Sequence, residues 1–306
     1  MSSRTAHSFG GMRRYMQISQ TQVFLFVEGR DLDPNIYGRI CGPVCRDFGK
    51  SYEIVLADRI NGDGGGKGML TRLFEYLKDG GSLIDRSQHD AKLAMFYLDK
   101  DVDDIFQTLR SSDHVVYTIY YCIENHLFTE GDLVSSIATG GSVDVEVIRP
   151  RVPDPGLWRR TSAECWREWV ALCILARKLA VPHPVSYARP SSINTPADSG
   201  TDAAALAACV AQMEAQSGLT SADFRRKLAA AYRLVDSIYR SSRHDLLFKG
   251  KWFGLFVQRE LELADPLFNR QGATDRLLGS LIATIDFTAP WVQHFREPLR
   301  HTLAQL

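Results

Sequence analysis

Short apolar runs alternate with helix-like segments along the first half of the chain. The runs are rich in β-branched and aromatic residues and predict four strands, over Gln22–Val27, Tyr52–Ala57, Leu93–Leu98 and Val115–Cys122. Between them, apolar residues at helical spacing predict helices over Pro34–Phe48, kinked or broken at Pro43, and over Met69–Lys78. Strands that are apolar on both faces and separated by helices are typical of a parallel sheet. We therefore predict an α/β domain over residues 20–150.

The second half of the chain has helical patterns. Proline and glycine residues between positions 147 and 157 predict a domain boundary. Thr161 with Glu164, and Thr220 with Asp223, have the spacing of helix capping boxes. A loop rich in proline and serine is expected over 182–200. Helices are predicted from Thr161 to Val181, from Thr220 to about Ser241, and over 203–216, 251–264, 273–285 and 290–304. An all-helical accessory domain over 151–306 is therefore expected.

Composition places the chain among globular proteins and excludes several other classes. Its 306 residues are 45% hydrophobic and 24% charged, which excludes a mostly disordered chain, a collagen or a disulfide-rich miniprotein. No stretch approaches the roughly 18 apolar residues of a membrane span, and the first 20 residues lack the apolar core of a secretory signal. The six cysteines form no CxxC pair. Free thiols in a reducing cytoplasm are therefore expected, rather than a zinc site at Cys41 and Cys45.

Charge is balanced over the whole chain but not between its halves. Residues 1–150 contain 16 Lys and Arg against 21 Asp and Glu, whereas residues 151–306 contain 20 against 15. An acidic half beside a basic half suits a metal-binding catalytic unit next to a unit that holds phosphate.

Three carboxylates follow predicted strands. Glu28 comes directly after the first strand, and Asp99 and Asp101 follow the third. Because the carboxyl ends of parallel strands share one edge of a sheet, these side chains are expected to converge there. Two carboxylates 4 Å apart repel by about 4 kcal/mol at an effective dielectric near 20, so a divalent cation with oxygen ligands such as Mg²⁺ is the natural counter-charge. The competing interpretation is that the acids only end strands and cap the following helices.

A glycine-rich turn, Gly62 to Gly68, invites comparison with a nucleotide-binding P-loop. Only three residues separate Gly62 from Gly66, and Gly68 stands where a P-loop has the Ser or Thr that binds magnesium. Two interpretations remain: a turn whose N–H groups and Lys67 hold a phosphate at a helix N-terminus, or a plain tight turn.

Two of these segments resemble the TOPRIM domain of topoisomerases, bacterial primases and OLD-type nucleases. They are Phe26-Val27-Glu28-Gly29 and Phe96-Tyr97-Leu98-Asp99-Lys100-Asp101. More specifically, the chain resembles a bacterial TOPRIM-like family that includes AriB-like effectors of the PARIS anti-phage system. The further motifs that carry this resemblance are Val27-Glu28-Gly29-Arg30-Asp31, Gly65-Gly66-Lys67, Tyr121-Cys122-Ile123-Glu124-Asn125-His126-Leu127 and Phe248-Lys249-Gly250-Lys251.

The resemblance implies a TOPRIM-like, Rossmann-like parallel-sheet domain with Mg²⁺-dependent nuclease activity, Mn²⁺ being an alternative ion. It implies that Glu28, Asp99 and Asp101 are catalytic and bind the metal. Asp103 and Glu124 would be further metal ligands, and Lys67, Lys100 and Lys251 would bind substrate phosphate. The expected partners are a nucleic acid (DNA, RNA or tRNA), an ABC-type ATPase of a two-component defence system and a second copy of the chain, with no membrane.

Two other functions fit the same residues. A non-catalytic TOPRIM-like module would bind nucleic acid or a partner ATPase without turnover. Alternatively, Asp99-Lys100-Asp101 could be the Asp-x-Asp motif of a nucleotide-sugar transferase or of a haloacid-dehalogenase-type phosphatase. The phosphatase normally has its pair after the first strand, where this chain has Glu28-Gly29.

Overall fold

The chain forms two compact units in a computed structural model that describes residues 6–60, 66–87, 90–181, 187 and 200–306. The first unit comprises Met1–Ile119 together with Asp286–Leu306, and the second comprises Tyr120–Ile285. The sequence suggests a division at residue 150, whereas here residues 120–150 belong to the second unit and the C-terminal segment belongs to the first. Within the described ranges, no helix is both long and apolar enough to cross a membrane.

A five-stranded sheet with helices forms the first unit, which is an α/β arrangement. Its strands are β1 (Val23–Val27), β2 (Tyr52–Leu56), β3 (Ile84–Asp85), β4 (Lys92–Leu98) and β5 (Val115–Tyr117). β1 lies between β2 and β4 and is parallel to both. β5 pairs in parallel with the end of β4, and the short β3 pairs antiparallel with its start. The sequence pattern predicted the parallel strands but not β3, which at two residues is too short to show periodicity.

Burial explains why the central strands read as unbroken apolar runs. All residues of β1 and β4 are buried, because helices and neighbouring strands cover both faces. Phe26 of β1 stacks on Phe96 of β4, with ring centroids 4.8 Å apart. The helices of this unit are α1 (Phe9–Ile18), α2 (Asp33–Asp47), α3 (Gly66–Asp79) and α13 (Gln293–Leu303). The first part of the predicted glycine-rich turn, residues 61–65, lies outside the described residues.

The expected break at Pro43 is absent, and α2 continues through it. Proline has no N–H, so the carbonyl of Arg39 loses its usual helical donor. Arg296 of α13 donates to this carbonyl at 3.4 Å and to the carbonyl of Ile40 at 2.8 Å. A donor from the C-terminal helix thus replaces the missing backbone hydrogen bond.

Helices make up the second unit. They are α4 (Ile123–Glu130), α5 (Leu133–Gly141), α6 (Val145–Ile148), α7 (Pro155–Cys165), α8 (Arg167–Leu179), α9 (Ala203–Gln216), α10 (Ser221–Arg240), α11 (Phe253–Ala264) and α12 (Ala273–Thr284). The predicted cap at Thr220 is confirmed, since its side chain accepts a hydrogen bond from the Asp223 N–H. In the loop predicted over 182–200, only Tyr187 and Gly200 are described.

The predicted helix start at Thr161 is wrong. Asp154 caps α7 by accepting a hydrogen bond from the Leu157 N–H at 3.0 Å, and Pro155 occupies the first helical position. Thr161 lies inside the helix and donates to the Leu157 carbonyl. An Asp-Pro pair is a strong start signal, since the carboxylate satisfies a free N–H and proline does not need one.

Candidate functional site

The carboxyl ends of β1 and β4 place Glu28 beside Asp99. Val27 is paired with Tyr97 in the parallel register, so the chain leaves both strands at nearly the same height. Glu28 Oε1 accepts a hydrogen bond from the Asp99 backbone N–H at 2.9 Å. One predicted site residue therefore directly fixes the position of another.

Gly29 and Asp33 shape the turn that follows Glu28. Asp33 Oδ2 accepts a hydrogen bond from the Gly29 N–H at 2.7 Å. A Cβ at Gly29 would lie 2.9 Å from Asp33 Oδ1, which is too close for any other residue to fit without movement. The close approach of the Asp33 carboxylate, which in turn begins α2, favours glycine here, since any other residue would displace that carboxylate.

Lys67 lies between the acids of the second motif. Its Nζ is 2.8 Å from Asp101 Oδ2 and also pairs with Asp103. It is 3.3 Å from the Lys100 carbonyl as well. Asp101 has a φ of +52°, an unusual backbone conformation for a residue other than glycine. The structure thus brings Lys67, Asp101 and Asp103 into one charged group at the start of α3.

Burial raises the pKa of Glu28 to about 7. The Asp99 N–H and the Lys67 ammonium favour the carboxylate and limit this rise, whereas Asp101 and Asp33 add to it through charge repulsion. A group with a pKa near neutrality can both accept and release a proton at physiological pH. Glu28 is therefore chemically different from an exposed glutamate.

Tyr37 of α2 is buried against Tyr97 and is close enough to the acids to feel their charge. Burial raises the pKa of its phenol well above the ordinary value, and the charges of Asp33, Asp99 and Glu28 raise it further. The phenol therefore stays protonated and remains available as a hydrogen-bond donor next to three carboxyl groups. Nothing in the sequence singled it out, because Tyr37 follows the apolar pattern of α2.

The carboxylates suit Mg²⁺ by their chemistry. Within the described ranges, no group of three or more His, Cys, Asp or Glu residues is arranged to hold a metal ion. Mg²⁺ does not need such a cage, because it typically takes one or two carboxylates and completes its shell with waters and substrate phosphates. Glu28 and Asp99 follow the carboxyl ends of the paired strands β1 and β4 and carry hard oxygen ligands of this kind, whereas Asp101 pairs with Lys67. In the structure described here, the positive charge facing Asp101 and Asp103 comes from Lys67.

Lys100 is held by protein atoms at the end of β4. Its ammonium donates to the Ile119 carbonyl and lies 3.6 Å from Asp104. Its backbone N–H donates to Thr118 Oγ1 at 2.9 Å. The side chain is only 12% exposed, so this arrangement favours a scaffold role over the predicted phosphate contact.

The other two predicted site residues, Glu124 and Lys251, belong to the second unit. Lys251 Nζ lies 3.4 Å from Glu124 Oε1. Glu124 is buried near the start of α4, and its other oxygen, Oε2, is buried without a hydrogen-bond partner among the residues described. Lys251 is half exposed. The two motifs that contain these residues are therefore neighbours within this unit.

Asn125 joins the same two motifs. Its Nδ2 donates to Asp245 Oδ1 and to the Phe248 carbonyl, both at 3.0 Å. Its Oδ1 accepts hydrogen bonds from the N–H groups of Cys122 and Gly250, at 3.2 and 3.0 Å. A Cβ at Gly250 would lie 2.4 Å from the Asn125 backbone N. The pairing of these segments, 125 positions apart, depends on one buried amide and one glycine.

Sequence reasoning missed Asp33 and Thr118 as supports of the site. Asp33 had a signal, since an Asp before Pro34 is typical of a helix start. Thr118 had none, because it lies in an apolar segment and acts through a contact with Lys100 that only the fold creates. No protein-family model matches the chain, and no curated protein matches it.

Proposed function

We propose that the chain is a metal-dependent nuclease of the TOPRIM type that hydrolyses phosphodiester bonds of nucleic acid. The observation that carries this proposal is the hydrogen bond from the Asp99 N–H to Glu28 at the carboxyl edge of the sheet. Asp101, Asp103 and Lys67 form a charged group in the same unit. The TOPRIM-like, Rossmann-like arrangement of the domain is part of the proposal, and the parallel order β2-β1-β4 supports it.

Each residue of this site has a distinct task in the proposed reaction. A bound Mg²⁺, or Mn²⁺, would stabilise charge on the phosphate oxygens and lower the pKa of an attacking water. Glu28, Asp99 and Asp101 would hold that ion, with Asp103 as an outer ligand. Alternatively, Glu28 would take the proton of the water instead of binding the ion, since its carboxyl has a pKa of about 7 when no metal is bound. The Asp99 N–H orients the Glu28 carboxyl group.

Lys67 is the residue that meets substrate in this proposal. Its ammonium now pairs with Asp101 and Asp103. A phosphate with its metal ion offers Lys67 a new partner and the two carboxylates a new cation, so the internal ion pairs can exchange for ligand contacts without leaving a charge unpaired. Glu124 and Lys251 remain predicted metal and phosphate contacts of the second unit.

The biological setting follows from the resemblance alone. A toxin-like effector of phage defence, restrained by an ABC-type ATPase, would cleave RNA, tRNA or DNA when released. The six cysteines are free thiols, as proteins of a reducing cytoplasm have them. A homodimer is also part of this proposal.

Cleavage of labelled DNA, RNA and tRNA by the purified chain tests the proposal. We expect wild-type protein to cut at least one of the three with Mg²⁺ or Mn²⁺ and to stop when EDTA is added. Glu28→Gln should reduce cleavage by at least about a hundredfold, the usual range for an acid–base group. Asp47→Asn, which removes an exposed carboxylate of α2, should cleave like the wild type.

The alternative is a binding module that has the TOPRIM shell without turnover. The pairing of Lys67 with Asp101 and Asp103 favours it, because it neutralises two of the proposed metal ligands. Substrates left intact by the wild type, but bound equally by the wild type and Glu28→Gln, would establish the module and overturn the nuclease.

A further inference from the structure

Helix α10 in the second unit has one buried face and one arginine-rich face. Phe224, Ala231, Val235 and Tyr239 are its buried residues. Arg226, Arg233 and Arg240 follow at seven-residue intervals, which places them roughly 160–200° around the helix axis from Phe224. All three are exposed. The helix contains five basic and two acidic residues, so this face is cationic.

An open depression of about 510 Å³ lies along this face. Its lining residues are Arg233, Asp236, Ser237, Arg240 and Ser241. Every one is polar or charged, and none offers an apolar anchor. The two arginines and Ser237 present guanidinium and hydroxyl donors on one side of the helix, whereas the Ser241 hydroxyl donates to the Ile238 carbonyl at 2.8 Å.

The acid in the depression does not cancel its positive charge. Asp236 Oδ1 is 3.5 Å from Nε of Arg167 on the neighbouring helix α8. In the described part of the chain, Arg233 and Arg240 form no ion pair. Arg167 also pairs with Glu164 at 3.3 Å, so it neutralises Asp236 only in part. With two arginines and one aspartate, the lining still carries a net positive charge. Arg226, at the other end of the row, is paired with Asp223 at 2.7 Å.

We propose that the Arg233–Arg240 face of α10 binds the phosphodiester backbone of a nucleic-acid strand. Arginines seven residues apart are about 10.5 Å apart along a helix, which corresponds to about three steps along the axis of a duplex at 3.4 Å per phosphate of one strand. Guanidinium groups bind phosphate oxygens in a bidentate manner. The hydroxyl group of Ser237 contributes a further phosphate contact.

The chemistry of the depression favours nucleic acid over an acidic protein. Protein interfaces have an apolar or aromatic centre that supplies most of the binding energy, and this lining contains none. Interfaces with nucleic acid are polar and strongly positive instead. The face would hold substrate strand by backbone contacts, without reading sequence. This inference rests on the proposed function, since it names how the second unit binds the substrate class of that site.

Fluorescence anisotropy with a labelled oligonucleotide, single-stranded and duplex, tests the inference in EDTA. Arg233→Gln combined with Arg240→Gln should weaken binding about tenfold or more at low salt. It should also reduce the slope of log K against log salt by about 2, since each phosphate contact contributes about 0.9. Arg149→Gln combined with Lys178→Gln removes two exposed positive charges from the same unit and should bind like the wild type.

Three results would overturn it. In the first, the wild-type protein binds neither oligonucleotide. In the second, the two double variants have the same affinity and the same salt slope. In the third, polyglutamate competes with the labelled oligonucleotide as strongly as unlabelled oligonucleotide does. The last result would assign the face to an acidic protein. Thermal melting of the variants confirms that they fold. Cleavage assays separate the two proposals. If the wild type cleaves nucleic acid but the Arg233 and Arg240 double variant binds it as tightly as the wild type does, the role of the α10 face is refuted and the nuclease proposal stands.

Discussion

Glu28 Oε1 accepts a hydrogen bond from the backbone N–H of Asp99 at 2.9 Å, although 71 positions separate the two residues. Parallel pairing of β1 with β4 creates this contact, because it aligns the last residues of both strands. The bond holds the Glu28 side chain in one orientation inside a buried site. It also explains why Glu28 can be both desolvated and partly stabilised as a carboxylate.

The stability of the protein should depend on pH through Glu28. Its pKa is about 7 in the folded chain against an ordinary value of 4.5. Between these values the folded state binds more protons, so the free energy of unfolding falls as pH rises through that interval. Glu28→Gln keeps an oxygen acceptor for the Asp99 N–H but does not titrate. As pH rises from 4 to 8, we expect the free energy of unfolding of Glu28→Gln to increase relative to that of the wild type by up to about 3 kcal/mol.

Denaturant unfolding of both proteins at several pH values measures this difference. Asp47→Asn, at the exposed end of α2 in the same unit, controls for loss of a carboxylate and should keep the wild-type profile. A constant difference between Glu28→Gln and wild type across the range would contradict the buried titration of Glu28.

Removal of the Lys67 ammonium should make the protein more dependent on a divalent cation. Lys67→Met leaves Asp101 and Asp103 without the positive charge that they now share, so we expect a loss of about 1–3 kcal/mol without metal. Millimolar Mg²⁺ or Mn²⁺ should then raise the melting temperature more than in the wild type. Lys78→Met, at the exposed end of the same helix, should behave as the wild type. Equal metal responses in all three proteins would argue against a cation site there.

Gly29 should not tolerate alanine. Its Cβ would lie 2.9 Å from Asp33 Oδ1 and displace the carboxylate that accepts the Gly29 N–H. We expect Gly29→Ala to lose about 1–3 kcal/mol and to lower cleavage as well, because the turn carries Glu28. Gly68→Ala is the matched control, since an added Cβ has no atom within 4 Å there. Thermal melting and cleavage by both variants provide the comparison, and similar values would refute the packing argument.

Gly250 should be equally restrictive in the second unit. An added Cβ would approach the Asn125 backbone N to 2.4 Å, so Gly250→Ala must separate the segments that Asn125 joins. We expect it to cost more than about 2 kcal/mol. Gly279→Ala in α12, where no atom lies within 4 Å, should gain about 0.5–1 kcal/mol as an ordinary helical substitution. Denaturant unfolding decides, and a Gly250→Ala protein as stable as the wild type would contradict this role.

The sequence by itself determined the local elements and the identity of the acids. Apolar runs located β1 and β4 because these strands lie inside the sheet, and the edge strand β2 was found by its β-rich composition. Helical spacing located α2 and α3 because one face of each is buried. The strand-end positions of Glu28 and Asp99 followed from the same pattern. Local signals of this kind depend only on neighbours along the chain.

Only the tertiary structure decided which distant groups meet. Lys67 could be assigned to a phosphate or a plain turn from its sequence context, yet its pairing with Asp101 and Asp103 depends on α3 packing beside the end of β4. Arg296 likewise donates hydrogen bonds to α2 near Pro43, and Asn125 accepts one from Gly250. Both contacts join segments far apart in the chain. Such contacts produce no periodic pattern in the sequence, because each is a single polar interaction between residues that only the folded chain brings together.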